Sequence, residues 1–227
     1  MQEISGQNVG ASQHVRPGRR CLICASGPVG DPEALRPLLR PDDWVVAADG
    51  GVRLARRLSL SPDLIVADFD SSAKQEHKET VPVAVLPVKK NDTDTMAAAR
   101  LALDRGFREF LILGGTGGRL DHTVANFAVL AFLCGQGARA VLADEHGWTE
   151  MVLPGKHRVE AAPGMKLSLL PYGGPVSGLW VKNAEYELEN AMLTPDFPLG
   201  VSNEFRGADP VEIEFNAGIL QIFLSKD

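Results

Sequence analysis

The sequence predicts an α/β protein, in which an N-terminal doubly wound, mostly parallel sheet is followed by a C-terminal antiparallel β-sandwich domain. In the first part, short apolar segments alternate with helical segments, which is the pattern of parallel strands joined by helices. In the second part, segments 211–215 (VEIEF) and 219–224 (ILQIFL) alternate polar and apolar residues with a period of two. The expected divisions are a disordered tail (1–18), an α/β domain (19–147) and a sandwich domain (148–227).

Six strands and four helical segments are expected in order along the α/β domain. The strands are expected at 20–26, 42–51, 62–72, 83–88, 108–115 and 138–144. The helical segments are expected at 31–40, 52–60, 93–107 and 123–137. In the third helix, Asp92 or Thr93 is a suitable N-cap and Gly106 a suitable C′ residue. The fourth is apolar nearly all round, which predicts that it is buried.

Composition excludes several classes of function. The 227 residues are 44% hydrophobic and 23% charged, as in an ordinary globular protein. The net charge of -6 argues against a nucleic-acid or anionic-membrane partner. No segment has the roughly 18 apolar residues of a membrane span, and the N-terminus lacks the apolar region of a signal peptide. Three cysteines, an odd and low number, favour a reducing compartment, the cytoplasm. Cys21 and Cys24 lie three apart in a predicted strand and would face opposite sides, which favours a structural role.

Two carboxylates end the third predicted strand. Asp68 and Asp70 are two residues apart, so in extended chain they point the same way. Like charges this close repel unless a cation lies between them, and aspartate oxygens suit Mg²⁺. The alternative is a solvated turn.

Other acids and glycines also follow predicted strands. Asp49 and the glycines of 114–118 come directly after apolar segments, and carboxyl ends of parallel strands share one edge of the sheet, where ligands bind. Asp94 opens a helix beside that edge, where it could complete a metal site or only favour the helix dipole. Lys89 and Lys90, just upstream, could be surface residues or phosphate contacts.

The segment 114–122 (GGTGGRLDH) is a candidate anion-binding loop. It matches neither the P-loop nor the GxGxxG pattern. Its glycines can still bring backbone amides close to a ligand, and Arg119 suits bidentate phosphate binding. Asp121 and His122 open the next helix, where His122 could cap and pack or contact a ligand.

In the second part, large aromatic residues and a polar loop stand out. Trp148, Trp180 and Tyr186 are expected in the core by default, and His146 and His157 on the surface. Ser202 and Asn203 lie in a loop between strands, where turn formation is the simpler explanation.

Taken in order, these motifs resemble thiamine pyrophosphokinase of the bacterial type. The matching motifs are Asp49-Gly50-Gly51, Asp68-Phe69-Asp70-Ser71, Thr93-Asp94, Gly117-Gly118-Arg119-Leu120-Asp121-His122 and Ser202-Asn203-Glu204. The resemblance implies an α/β domain, a β-sandwich and a homodimer with active sites between subunits. It implies transfer of the diphosphoryl group of ATP to the hydroxyl of thiamine, with Mg²⁺, giving thiamine diphosphate and AMP.

The resemblance also implies roles for individual residues. Mg²⁺ would be held by Asp68, Asp70 and Asp94. ATP would be bound by Asp49, Gly50, Lys90, Gly117, Gly118, Arg119 and His122. Thiamine would be bound by Ser202, Asn203 and Tyr186, the last from the partner subunit, although the segment 178–180 (GLW) could also supply the aromatic residue. Asp121 is a candidate to orient the thiamine hydroxyl or to accept its proton.

Two positions depart from the family pattern, and three other functions compete. Ala67 stands where the family usually has glycine, which is tolerable if its φ is negative, and Asn91 stands where it often has aspartate. The alternatives are a diphosphokinase for another alcohol such as a hydroxymethylpterin, a non-catalytic nucleotide- or thiamine-binding regulator, and a Mg²⁺-dependent phosphohydrolase. The complete set of aspartates argues against a pure binder, since binding alone needs no metal cluster.

Overall fold

The structure, a computed structural model, describes residues 18–68, 81–86 and 92–226. The chain divides into two compact units, the first ending at Asn126 and the second beginning at Phe127. This division falls inside a helix, and the predicted domain boundary near residue 147 stays a prediction. No helix in the described ranges is long and apolar enough to cross a membrane.

The first unit contains five strands that pair in the order β4-β3-β2-β1-β5, all parallel. In chain order the elements are β1 (Cys21–Cys24), a 3-10 helix (Glu33–Leu38), β2 (Trp44–Ala48), α1 (Gly51–Arg57), β3 (Leu64–Asp68), β4 (Val83–Leu86), α2 (Asp94–Asp104), β5 (Glu109–Leu113) and α3 (Leu120–Gly135). The chain builds outward from β1 to β4 and then returns to the other side of β1. The point between β1 and β5 is therefore a topological switch, where open α/β sheets bind ligands.

The strands β1, β2, β3 and β5 are apolar runs whose residues are almost all buried, whereas Val83 and Val85 of the edge strand β4 are exposed. Every residue of β1 is buried, including Cys21 and Cys24, which are free thiols, as the prediction of a structural role requires. Beside β1, Arg20 and Asp43 form a buried ion pair. Ala67 is buried within β3, and its φ is negative, so alanine is tolerated where the family usually has glycine.

The four helical segments form in the predicted order, and the last one differs from its prediction. The first, predicted only as a helical segment, is a 3-10 helix, because Pro37 inside it lacks the N–H that an α-helical hydrogen bond requires. The last, α3, begins three residues earlier than predicted, and the prediction that it is buried all round is wrong. Val124, within the predicted range, is 64% exposed, and Leu120 at the start of α3 is 82% exposed, because no other element in the described ranges covers that side of the helix. The caps of α2 are confirmed: Thr93 Oγ1 accepts a hydrogen bond from the N–H of Met96 (3.2 Å), and Gly106 has a φ of 95°.

The second unit contains the predicted antiparallel β-sandwich, and it also includes the strand at 139–144, which was predicted as the sixth strand of the α/β domain. Its strands are β6 (Arg139–Asp144), β7 (Gly147–Val152), β8 (Gly155–Val159), β9 (Met165–Pro171), β10 (Val176–Lys182), β11 (Leu188–Leu193), β12 (Val211–Phe215) and β13 (Leu220–Lys226). The first four-stranded group pairs in the order β6-β7-β13-β9 and the second in the order β11-β10-β12-β8. Apolar residues from both groups share one core, because alternate residues of each strand face inward.

Not all aromatic and histidine side chains of this unit lie where they were expected. Trp148 packs partly buried against the core, whereas Trp180 is 37% and Tyr186 68% exposed, so the core prediction is wrong for these two. His146 is exposed as predicted. His157 is not on the open surface: it is half-buried, with Nε2 2.8 Å from the carbonyl oxygen of Leu153 and its ring against Phe215, because β8 pairs directly with β12.

Candidate active site

A cavity of about 320 Å³ opens at the carboxyl ends of β1, β2 and β5 in the first unit. Four loops or helix starts that are distant in sequence line it, and three of them, at Asp49, at Asp94 and at the glycine-rich loop, were predicted. The lining consists of residues 25–28, 48–49, 93–95 and 114–117, together with Arg119, His122, Ala125 and Asn126. Carboxylates, a guanidinium, hydroxyls and glycine backbone thus meet in one place.

The loops that follow β1 and β5 are in direct contact. The N–H of Ala25 donates to the carbonyl oxygen of Leu113 (2.8 Å), and the N–H of Gly27 donates to that of Gly114 (2.8 Å). A Cβ atom at Gly27 would lie 2.4 Å from the oxygen of Gly114 and 2.6 Å from that of Thr116. Only glycine at position 27 therefore lets the two loops approach this closely.

Asp49 lies in an unusual backbone conformation at the end of β2. Its φ is 49°, in the left-handed region that few non-glycine residues adopt. The N–H of Asp49 donates to the carbonyl oxygen of Val66 on β3 (2.8 Å), which holds the residue at the edge of the cavity. Such strain is often found at functional sites, because surrounding contacts must maintain it. The following Gly51 starts α1 so close to β1 that a Cβ atom would lie 1.8 Å from the oxygen of Cys24.

Asp94 lies in the first turn of α2 and lines the same cavity as Asp49. The hydroxyl of Thr93 caps this helix, so the carboxylate of Asp94 is placed by a regular helix start rather than by a mobile loop. Asp94 is therefore an acid in a first helical turn that also lines the predicted crevice, and its role as a metal ligand stays a prediction.

The glycine-rich loop is shaped by its glycines and fixed by Asn126. Gly117 and Gly118 have φ angles of 76° and 64°, which side chains other than that of glycine rarely permit. The amide of Asn126, which is 7% exposed, donates from Nδ2 to the carbonyl oxygen of Gly115 (2.7 Å). The loop is thus tied to α3 at one point, and its amides remain close to the cavity.

Arg119 and Asp121 form a two-point ion pair at the start of α3. Nε of Arg119 donates to Oδ1 of Asp121 (3.1 Å) and Nη2 donates to Oδ2 (2.5 Å), while the N–H of His122 donates to Oδ1 (3.0 Å). The hydrogen bond from Arg119 lowers the pKa of Asp121, and the same pairing raises the pKa of Arg119. The pair uses two of the five N–H donors of the guanidinium, so three others can serve an anion.

The structure brings together some of the predicted site residues and leaves others untested. Those in the cavity lining are Asp49, Asp94, Gly117, Arg119 and His122. Those described but outside the lining are Gly50, Gly118 and Asp121. Asp68 ends β3, two positions after Val66, which accepts the hydrogen bond from Asp49. The side chain of Asp68 is outside the described part of the chain, and so are Asp70, Lys89, Lys90 and Asn91.

Sequence reasoning missed two parts of the lining. It treated Gly27-Pro28 only as the end of a strand, although the rule applied to the other strand ends would have placed residues 25–28 in the crevice. Asn126 could not be identified from the sequence, because no sequence pattern marks a helical residue whose side chain bonds to a loop eleven positions earlier.

The other predicted ligand residues lie together in the second unit. Asn203 accepts a hydrogen bond at Oδ1 from the N–H of Tyr186 (3.0 Å) and donates from Nδ2 to its carbonyl oxygen (2.8 Å). Ser202 is exposed, with a φ of 61°, and its N–H donates to the hydroxyl of Ser168 (3.0 Å). Residues 17 positions apart are thus neighbours, as a shared binding role requires.

Comparisons with known proteins match both parts of the chain to one family. The model of the thiamin pyrophosphokinase catalytic domain matches residues 35–142, and the model of its vitamin B1 binding domain matches residues 156–220. Thiamine pyrophosphokinase of Bacillus subtilis (strain 168) is 28% identical over 192 residues, which cover 81% of this chain and 87% of the relative.

Solved structures agree in fold. A crystal structure of thiamine pyrophosphokinase from Bacillus subtilis has a TM-score of 0.83 at 24% identity and covers 92% of this chain and all of that one. A thiamin pyrophosphokinase family protein from Enterococcus faecalis has a TM-score of 0.75 at 28% identity, with 92% and 100% covered. Together with the two domain matches, these similarities show that the chain belongs to the thiamin pyrophosphokinase family, a family of kinases, and contains both its catalytic and its vitamin B1 binding domains.

Proposed function

We propose that this protein is a thiamine diphosphokinase, which transfers the diphosphoryl group of ATP to the hydroxyl of thiamine and releases AMP. The observation that carries the proposal is the presence of both family domains in one chain, the catalytic one containing a cavity lined by aspartates, Arg119 and a glycine-rich loop. The match to a vitamin B1 binding domain disfavours a hydroxymethylpterin as acceptor. The match to a catalytic domain disfavours a regulator that only binds.

Mg²⁺ is the proposed cofactor, and the available side chains suit it. Asp49 and Asp94 present carboxylates to one cavity, and Asp68 ends the strand next to that of Asp49. Within the described ranges no group of three metal-binding side chains forms, so the proposed set of Asp68, Asp70 and Asp94 depends on residues beyond them. An all-oxygen set fits a hard ion, and when bound Mg²⁺ would neutralise charge on the ATP phosphates.

The glycine-rich loop and Arg119 are proposed to bind and orient the nucleotide. Phosphoryl-type transfer depends on positioning and charge neutralisation more than on covalent chemistry. Backbone amides at Gly117 and Gly118 and the remaining N–H donors of Arg119 provide both, with His122, Asp49, Gly50 and Lys90 completing the proposed set. These groups act without moving far, because Asn126 and the ion pair to Asp121 already hold the loop and the guanidinium.

Asp121 is better suited to orient other groups than to accept a proton. Both of its carboxylate oxygens accept hydrogen bonds from Arg119, which lowers its pKa. A lower pKa makes a carboxylate a weaker base at neutral pH. We therefore assign Asp121 the task of holding Arg119 in place.

Thiamine is proposed to bind near Ser202, Asn203 and Tyr186 in a homodimer. Tyr186 is 68% exposed and offers an aromatic face to the cationic thiazolium ring. Met192 (59% exposed) and Phe197 (62% exposed) lie in the same unit, and exposed apolar residues of this size suit a subunit interface. The three cysteines are free and buried, as suits a reducing compartment, and we place the enzyme in the cytoplasm.

The reaction is tested by identifying products. The protein is incubated with ATP and Mg²⁺ together with thiamine, a hydroxymethylpterin or no acceptor, and the products are separated by chromatography. Formation of AMP and thiamine diphosphate supports the proposal. A pterin diphosphate, phosphate release without acceptor, or no turnover would point respectively to the other diphosphokinase, a hydrolase or a binder.

A site variant tests the metal assignment. Asp70→Asn should lower turnover by orders of magnitude without changing the melting temperature, because it removes one charge from the proposed metal site. The matched control is Asp104→Asn, at the far end of α2 from the cavity, which should keep wild-type activity. Near-normal activity of Asp70→Asn would refute the assignment.

Subunit mixing tests whether Tyr186 serves the partner's site. Asp94→Asn and Tyr186→Ala are prepared separately, mixed under conditions that exchange subunits, and assayed. If Tyr186 acts across the interface, each mixed dimer regains one intact site, and activity should approach about a quarter of wild type. No recovery would mean that both residues act within one subunit.

A further inference from the structure

The segment 200–205 is fixed to β9 by backbone hydrogen bonds. The N–H of Leu169 donates to the carbonyl oxygen of Gly200 (2.8 Å), and Leu167 and Asn203 exchange two hydrogen bonds of 2.8 and 2.9 Å. Between them, Ser202 takes its left-handed conformation while Ser168 accepts its N–H. The backbone that carries Asn203 is therefore part of the sandwich and not a free loop.

From this fixed position, the side chain of Asn203 engages both backbone polar groups of Tyr186, its N–H and its carbonyl oxygen. Asn203 is 8% exposed. Its Oδ1 accepts from the N–H groups of Tyr186 (3.0 Å) and Glu204 (2.9 Å), and its Nδ2 donates to the carbonyl oxygen of Tyr186 (2.8 Å). One amide thus satisfies both backbone polar groups of Tyr186, as a neighbouring strand would.

The ring of Tyr186 shows the opposite behaviour. Its backbone lies in the connection between β10 and β11, tied by an Ala184–Phe205 bridge and by the N–H of Glu185, which donates to the oxygen of Glu204 (2.9 Å). The side chain is nevertheless 68% exposed. A buried polar side chain therefore fixes the backbone of a residue whose aromatic ring is exposed to solvent. A turn that only connects two strands does not need these additional hydrogen bonds.

We propose that Asn203 is a positioning residue, which sets the place of the Tyr186 ring and thereby the affinity for the thiazolium cation, without touching the ligand itself. This inference rests on the proposed function, and it holds whichever subunit's thiamine the ring contacts. The family resemblance implies direct contact with thiamine, but Oδ1 already accepts two hydrogen bonds within the protein, Nδ2 already donates one of its two N–H groups, and Asn203 is only 8% exposed. Ser202, whose side chain is exposed, is left as the direct contact of the pair.

Position 203 needs both a hydrogen-bond acceptor and a donor, so substitutions that remove one or both of them should have different effects. Asparagine supplies an acceptor and a donor side by side. In Asn203→Asp the carboxylate would lie where Nδ2 now donates to the Tyr186 oxygen at 2.8 Å, so a hydrogen bond becomes a repulsion. In Asn203→Ala both hydrogen bonds to Tyr186 are lost, and the backbone N–H and carbonyl oxygen of Tyr186 lose this partner.

A double-mutant cycle measures whether Asn203 acts through Tyr186. Asn203→Ala should raise the KM for thiamine roughly tenfold while changing kcat and the KM for ATP less than about twofold, because an interaction made equally before and during reaction is lost. In a Tyr186→Ala background, the same substitution should change the KM for thiamine less than about twofold. Equal effects in both backgrounds would mean that Asn203 touches thiamine directly, and the proposal would be overturned.

A control separates positioning from loss of stability. Val159→Ala removes core volume from β8, the edge strand opposite β11 in the same sheet, and should lower stability without raising the KM for thiamine. Should Val159→Ala raise the KM as much as Asn203→Ala does, general loosening of the sandwich explains the result and the proposal is overturned.

Hydrogen exchange distinguishes failure of this inference from failure of the proposed function. The amide of Tyr186 should be protected in the wild type and exchange about tenfold faster or more in Asn203→Ala, with β13 unchanged. Unchanged exchange at Tyr186 would overturn the proposal that Asn203 positions Tyr186, even if the protein converts thiamine. If the wild-type protein does not convert thiamine, the proposed function and the effect of Asn203 on thiamine affinity are both overturned. The exchange result still decides whether Asn203 holds the backbone of Tyr186.

Discussion

The contact between the loops after β1 and β5 allows a direct test of the candidate site. In Gly27→Ala, the new Cβ atom would lie 2.4 Å from the oxygen of Gly114, and real Cβ contacts are essentially never shorter than 3.0 Å. One loop must therefore withdraw by at least about 0.6 Å, and the hydrogen bond from Gly27 to Gly114 must lengthen. Both loops line the cavity, so the strain falls on the site itself.

The expected losses follow from this displacement. Overpacking of a close contact costs about 1–3 kcal/mol of unfolding free energy. A misplacement approaching 1 Å in a catalytic site can reduce the rate by roughly a hundredfold. We therefore expect Gly27→Ala to lower kcat/KM by about 10- to 100-fold, which corresponds to roughly 1.4–2.7 kcal/mol of lost transition-state stabilisation.

Urea unfolding and steady-state assays with thiamine and ATP measure the two effects. The matched control is Gly135→Ala at the end of α3, where nothing lies within 4 Å of the added Cβ and φ is not positive. That variant should keep full activity and stability. Wild-type behaviour of Gly27→Ala would refute the close approach of the two loops and their shared role in the site.

Three further predictions concern the metal site, the buried ion pair and a buried thiol. Asp94→Asn should lower kcat by at least about a hundredfold and raise the Mg²⁺ concentration for half-maximal activity, with an unchanged melting curve; an unaltered Mg²⁺ dependence would contradict its assignment as a ligand. Asp43→Ala should cost about 3–5 kcal/mol in urea unfolding, because it leaves Arg20 buried without the carboxylate that accepts its bonds of 2.7 and 2.8 Å; a loss below about 1 kcal/mol would show that the pair is solvated. Burial, and to a lesser extent the charge of Asp43, raises the pKa of the Cys24 thiol from 9.0 to about 12. Because the unfolded chain loses this proton at a lower pH than the folded one, the unfolding free energy should fall as the pH rises from 9.0 to about 12. Cys24→Ala should show a shallower fall, and identical pH profiles would contradict the raised pKa.

Much of the candidate site was predictable because it depends on strand ends. Parallel strands place their carboxyl ends on one edge whatever their sequences, so Asp49 and the glycine-rich loop could be assigned to one crevice without coordinates. Asp94 followed from the N-cap at Thr93, a local signal that fixes where α2 begins.

Other features could not be read from the chain because they depend on which face of an element is covered. The apolar pattern of α3 predicts burial, yet Leu120 and Val124 on one side of this helix are exposed. Trp180 and Tyr186 are large aromatic residues of the kind expected in a core, and both are exposed. Periodicity records which residues share a face but not whether another element covers it.

The sequence by itself determined the layout of this protein: a parallel α/β unit followed by an antiparallel sandwich, with aspartates and glycines at strand ends in an order that resembles one kinase family. These are local properties, set by periodicity, caps and turn residues. Only the tertiary structure decided how individual groups act: that Gly27 lets two loops meet, that Asp121 is bound to Arg119, and that Asn203 holds the backbone of Tyr186. Such contacts join residues distant in the chain or depend on side-chain direction, and both arise only when the chain folds.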